Sequence, residues 1–162
     1  YDATAPSAGG SASRGPDSNG WYNHELTINF VGSDGPSGVA GCAGHRSYTG
    51  PDSGSITING SCTDVAGNTG SAPFTFRYDA TAPSDDARLT REPDSNGWYN
   101  HDLTLAFSGS DGTSGVAGCT GPRSYAGERK GAVTGKGGAV STGGTRGSPT
   151  GRSSRSPRRS SG

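Results

Sequence analysis

The chain has no methionine among its 162 residues. A translated frame opens with one, so the expectation is an internal piece, or a processed product, of a longer protein. Hydrophobic residues are only 27% of the total, against 30 glycines and 10 prolines. That excludes a helical bundle and suits short strands joined by tight turns. No apolar run approaches the roughly 18 residues of a membrane span, and no signal-peptide pattern is visible. HExxH, CxxC and G-x-S-x-G are all missing, so a zinc site and a hydrolase elbow have no support. The formal net charge of zero hides an asymmetry. Residues 1–127 hold 6 basic and 13 acidic side chains, a net of −7, while 128–162 hold 8 and 1, a net of +7. Two different materials are joined near residue 128.

What is present is a repeat. YDATAP at 1–6 returns at 78–83, and PDSNGWYNH at 16–24 returns at 93–101. The period is 77, and 35 of the 50 positions in 1–50 are identical in 78–127. Seven of the 15 differences fall in positions 8–15, which read as a tolerant surface loop. A period this long exceeds the roughly 20–50 residues of a solenoid unit and fits small β domains in tandem. The expected domains are a complete repeat at 1–77, a truncated second repeat at 78–127 and a disordered basic tail at 128–162. The tail has no aromatic residue and no cysteine, and its only large aliphatics are Val133 and Val140. Such a composition does not build a core.

Strands are legible by alternation. Leu26, Ile28 and Phe30 share one face, copied as Leu103, Leu105 and Phe107. Ile56, Ile58 and Cys62 share another, and Phe74, Phe76 and Tyr78 a third. Asn19-Gly20, Asp34-Gly35, Asn59-Gly60 and Gly67-Asn68 read as turns between them. Short strands at this spacing predict an all-β sandwich repeat. The truncated copy should leave the face of Leu103, Leu105 and Phe107 open. Cys42 and Cys62 lie 20 apart within one repeat, with Cys62 facing inward. A disulfide between them is expected, contributing about 3 kcal/mol in the chain-entropy model, with two buried free thiols as the alternative. A bridge implies an oxidising, extracytoplasmic compartment. Cys119 copies Cys42, while the copy of Cys62 falls in the replaced segment.

YDATAP, DSNGWYN, SGSDGTSGVAGC and CTDVAGNTG together resemble tandem bacterial Ig-like repeats of large secreted or surface-attached, adhesin-like proteins. The D-x-x-AP linker and the hairpin of Asp64, Ala66, Gly67 and Asn68 carry most of the likeness. It covers 1–127 and implies an immunoglobulin-like β-sandwich acting as a non-enzymatic spacer, stalk or adhesion module, extracellular or at the bacterial cell surface, whose partners are neighbouring Ig-like domains and a cell-surface or polysaccharide ligand. Such repeats also raise calcium near the linkers, for which Asp2, Asp34, Asp64 and Asp79 are the candidates. The competing reading of these carboxylates is turn capping; no other cofactor is expected.

Three further readings remain open. His24 and His101 are copies, and a catalytic base duplicated in every repeat is unusual; His45 becomes Pro122. Trp21, Tyr22, Trp98 and Tyr99 could stack on sugar rings as an accessory carbohydrate-binding module of a secreted enzyme. Burial is the simpler fate of such large rings. The segment RSSRSPRRSSG (152–162) resembles a polyanion-binding arm, yet without aromatics nucleic acid is not the expected partner. A frameshift, assembly error or recombination is the competing origin of 128–162.

Overall fold

The structure, a computed structural model, describes residues 1–126 and 137–147. Among the described residues it contains twelve strands and no helix. Two compact units divide the chain, Tyr1–Thr81 and Ala82–Gly162. The boundary falls a few residues later than the repeat period because the start of the linker belongs to the first unit. Tyr78 and Asp79 are both buried there.

Unit 1 has two sheets. The first joins β1 (Ser7–Ala12), β3 (Leu26–Ser33) and β5 (Arg46–Tyr48) in the order β1-β3-β5. The second joins β2 (Trp21–Tyr22), β4 (Val39–Cys42), β6 (Ser53–Asp64) and β7 (Thr69–Tyr78) in the order β2-β7-β6-β4. All pairings are antiparallel except β2 with β7, which is parallel. Leu26, Ile28 and Phe30 from the first sheet and Tyr22, Ala72, Phe76 and Tyr78 from the second form one hydrophobic cluster. The alternation therefore assigns the faces correctly. Rings meet edge to face, with Tyr48 5.2 Å from both Phe76 and Tyr78, a favoured aromatic geometry.

Two expectations are corrected here. Positions 8–15 are not simply a loop, because Ser7–Ala12 is an edge strand paired along its length with β3. Its residues alternate between exposed and half-buried, so backbone pairing holds it while side chains are free to vary. Asn59-Gly60 is not a turn either; it lies inside β6, paired with Pro73 and Ala72. A Cβ on Gly60 would run into the Phe30 ring. This glycine serves a close approach across the core rather than a chain reversal.

Cys42 and Cys62 are directly opposite in the β4–β6 register and are joined as a disulfide. The staple ties the short edge strand β4 to β6 in the second sheet. Gly32 lies against Cys62, with no room for a side chain between them.

Unit 2 repeats the first sheet as β8 (Ser84–Leu89), β9 (Leu103–Ser110) and β11 (Arg123–Tyr125), in the order β11-β9-β8. A separate pair is formed by β10 (Val116–Cys119) and β12 (Ala139–Ser141). The strand β12 corrects the expectation of a disordered tail for residues 137–147; the rest of 128–162 lies outside the described residues. The register of the repeat survives here. Cys119 pairs with Ala139 as Cys42 pairs with Cys62. Ser141 N donates to Thr145 O at 3.0 Å, as Asp64 N does to Asn68 O at 3.0 Å. Thr120 N donates to Gly138 O, as Ala43 N does to Ser61 O.

Only three residues are identical between 60–70 and 137–147, and all are glycines: Gly137, Gly144 and Gly147. Two stand where a neighbouring group excludes a side chain, and one where the backbone is left-handed. Gly137 lies under the Phe107 ring as Gly60 lies under Phe30, and Gly147 touches the Pro83 carbonyl as Gly70 touches that of Pro6. Gly144 has φ 88°, matching φ 94° at Gly67, in the left-handed region that favours glycine. Leu103 and Leu105 are buried and Phe107 is half-buried, so the expected open apolar face is corrected as well.

The shared register gives a direct test. Ala139→Cys should form a bridge with Cys119 under oxidising conditions, with loss of two hydrogens in the intact mass. The new bridge should stabilise unit 2 by about 3 kcal/mol. Two free thiols after oxidation would contradict the pairing.

Candidate functional site

The repeated nine letters fold into a local cluster. Asn19 and Gly20 both have positive φ, 47° and 81°, giving the tight reversal that Asn-Gly favours. Trp21 N donates to Ser18 O at 2.7 Å and Asp17 N to Trp21 O at 2.8 Å. Asp17 then gathers the segment. It accepts from Asn23 N at 2.8 Å and from Arg14 Nη1 at 2.8 Å, and pairs with His24 Nδ1 at 3.3 Å. Arg14 also donates to the carbonyls of His24 and Glu25, lies over the Tyr22 ring, and accepts the Tyr22 hydroxyl on its own carbonyl. Unit 2 rebuilds the cluster with Arg91, Asp94, Asn100 and His101.

A His–Asp pair is half of a catalytic constellation, but His24 and His101 are largely exposed. Their surroundings here are backbone groups and an arginine that fasten a loop. Partial burial pushes the Asp17 carboxyl up. The Asn23 amide, the Arg14 guanidinium and His24 outweigh it and hold Asp17 below the ordinary carboxylate range. Asp94 is held down chiefly by the Asn100 amide. Sequence reading missed Arg14 and Arg91. The available signal was that position 14 is the only identity within the drifted stretch 8–15.

The aromatic pairs part company. Trp21 is 8% exposed and Trp98 is 49% exposed. Tyr22 is buried and Tyr99 half-buried. In unit 1, β7 covers the pair: Arg77 stacks over Trp21, and Phe76 meets Tyr22 edge to face. The reading of Trp21 and Tyr22 as sugar-stacking residues is therefore corrected, because both rings are core. Trp98 and Tyr99 keep ring surface in solvent.

Among the acidic candidates, Asp2, Asp34 and Asp64 come together, each offering a carboxylate oxygen within 4.8 Å of the others. Each also closes a turn. Asp64, 1% exposed, accepts from Asn68 N at 2.7 Å and Asn68 Nδ2 at 2.8 Å. Asp34 accepts from Ser37 N and Oγ and from Gly38 N. Asp2 accepts from Thr4 N, and the Ser37 hydroxyl, followed by the Thr4 amide, holds its carboxyl below the ordinary range. An all-oxygen set suits a hard cation such as calcium, which takes about six to eight oxygens; three carboxylates supply part of that number. Unit 2 has Ser141 at the position of Asp64. Asp79 stands apart from this group. It is fully buried beside Asp52, and its Oδ1 accepts from Thr81 N at 3.2 Å.

Asp52 grips the linker. Its Oδ1 accepts from Ala80 N at 2.9 Å, and its Oδ2 accepts the Thr81 hydroxyl. Partial burial raises its carboxyl, but these donors outweigh it and leave the group low. Among the cysteines, Cys42 and Cys62 are paired and Cys119 is a free, exposed thiol. Among the described residues no helix is long and apolar enough to cross a membrane. No protein-family model matches the chain, and no curated protein matches it.

Two outcomes follow. Asp17 and Asp52 titrate lower folded than unfolded, so their stabilisation is present above about pH 4 and is lost as pH falls through the lower folded values. Thermal melts of the chain should show flat stability from pH 5 to 7 on this account and a decline below about pH 4. Asp64→Ala should cost about 2 kcal/mol by removing the buried acceptor of the Asn68 amide and side chain, and Asp64→Asn, which keeps one acceptor, should cost less. Equal losses in urea melts would assign the effect to charge alone.

Proposed function

We propose that the chain is a non-enzymatic spacer or adhesion module, built from immunoglobulin-like β-sandwich repeats, of a bacterial extracellular or cell-surface protein. The observation that carries the reading is the linker. Tyr78 ends a core strand, Asp79 is buried, and Asp52 fixes Ala80 and Thr81. A linker tied into the domain before it fixes where the chain leaves that domain. Two antiparallel-rich sheets around one aromatic core, stapled by Cys42–Cys62, support the sandwich. The disulfide supports an oxidising compartment. The resemblance to tandem Ig-like repeats supplies the bacterial surface context and the neighbouring domains as partners.

A carbohydrate-binding role is the second reading, and the exposed Trp98 with Tyr99 favours it. Polyanion binding through 152–162 lies outside the described residues and has only its composition in support.

Single-molecule stretching tests the spacer reading. Unit 1 should resist force as one event, and reduction should lengthen that event by the 20-residue disulfide loop, about 70 Å at ~3.5 Å per residue. Unfolding of unit 1 without a measurable force peak would contradict a mechanical role. Retention on insoluble polysaccharide, lost in Trp98→Ala, would favour the carbohydrate reading instead.

A further inference from the structure

The letters Trp-Tyr form strand β2 at 21–22 through parallel pairing with β7, Trp21 opposite Arg77 and Tyr22 opposite Tyr78. At 98–99 the same letters form no strand. Only the isolated bridge from Ser95 to Trp98 remains. Among the described residues of unit 2, no strand stands where β7 stands in unit 1. Part of the receiving surface is nevertheless retained. On the side of β2, β3 and β5, Trp98, Tyr99, Leu103, Phe107 and Tyr125 repeat their counterparts and Ile28 becomes Leu105, whereas the β1 side changes, with Asp85, Ala87 and Leu89 in place of Ala8, Gly10 and Ala12. Exposure is concentrated on the ring that β7 shields most directly, since Trp98 is 49% exposed where Trp21 is 8%.

We propose that the Trp98–Tyr99 edge, with its aromatic rim, is a docking site for an extended strand of another polypeptide that carries aromatic residues at alternate positions. Unit 1 shows what fits the Trp-Tyr edge, because the strand paired with its counterpart sets Phe76 against Tyr22 and Tyr78 opposite it. The incoming strand adds parallel to Trp98–Tyr99, through main-chain hydrogen bonds and alternate side-chain anchors. Leu103 and Leu105 are already buried, so the anchors meet Trp98, Tyr99 and Tyr125 at the rim. The chain's own residues at +77 from β7 read RGSPTGRSSR (146–155) and offer no aromatic. The β7 of a second copy is an unsuitable donor. Its Phe76 and Tyr78 are buried in their own unit, and releasing them would dismantle that core.

A fluorescein-labelled synthetic peptide of residues 69–78, TGSAPFTFRY, added to the full chain tests this by anisotropy. The expected result is saturable binding. It should weaken at least about tenfold when the peptide carries Phe74→Ser and Phe76→Ser, as loss of anchor residues does at interfaces. It should weaken similarly in the chain variant Trp98→Ser, whose exposed position spares the fold. Trp emission of the unmodified chain should move to shorter wavelength on addition of unlabelled peptide. Absence of saturable binding, or equal binding by the serine-substituted peptide, would overturn the proposal. So would self-association of the chain that excess peptide leaves intact, since that would place the contact on another surface.

Discussion

Phe74, Phe76 and Tyr78, on one face of β7, are the side chains against which unit 1 is assembled. They meet the inner face of β3 through Phe76 and Tyr78, take Tyr48 edge to face, and bring Tyr22 into the cluster. The backbone of the same strand extends the sheet on both sides, antiparallel to β6 and parallel to β2. A chain with 27% hydrophobic residues has few large side chains to commit, and aromatics bury the most area for each residue ordered. Several glycines follow from this choice. Rings as large as Phe30 can reach across the core only where the opposite strand has no Cβ, as at Gly60.

The second unit isolates the effect of that strand. It keeps the sheet formed with β9, the β10–β12 pair and the glycines that let them approach. It also keeps the Arg91–Asp94–His101 cluster, which needs nothing from β7. What changes is the neighbourhood β7 would have covered: Trp98 opens and, among the described residues, 98–99 pair with no strand. Local sequence closes the Asn-Gly turn in both units, whereas burial of the tryptophan beside it depends on a partner more than 50 residues away in sequence.

That distinction also explains what could be read from the letters. Alternation found the inner faces of β3, β6 and β7, because burial on one face of a pleat leaves a period of two. Cysteine spacing with inward facing found the staple. The edge strand β1 was hidden, since SAGGSA carries no apolar alternation and is held by backbone bonds to β3. Asn59-Gly60 misled because a turn signal and a close-packing glycine share the same letters. Residues 137–147 were hidden for a similar reason: their likeness to 60–70 consists of three glycines, two of which serve close approach and one a left-handed φ. At the candidate site, the gathering of Asp2, Asp34 and Asp64 was legible only as a list of acids near turns, and Asp79 belonged to a different contact.

The reading of the chain as a spacer rests on the same economy. A linker fastened by Asp52 and a core closed by one disulfide give a small, glycine-rich domain a defined end. The central claim is that β7 decides whether the Trp-Tyr pair is core or surface. Iodide quenching of the two tryptophans, before and after residues 128–154 are replaced by the sequence of 51–77, tests it most directly. The account predicts that one tryptophan is quenched in the native chain and neither after the replacement. Continued quenching of Trp98 in the replaced chain would contradict it.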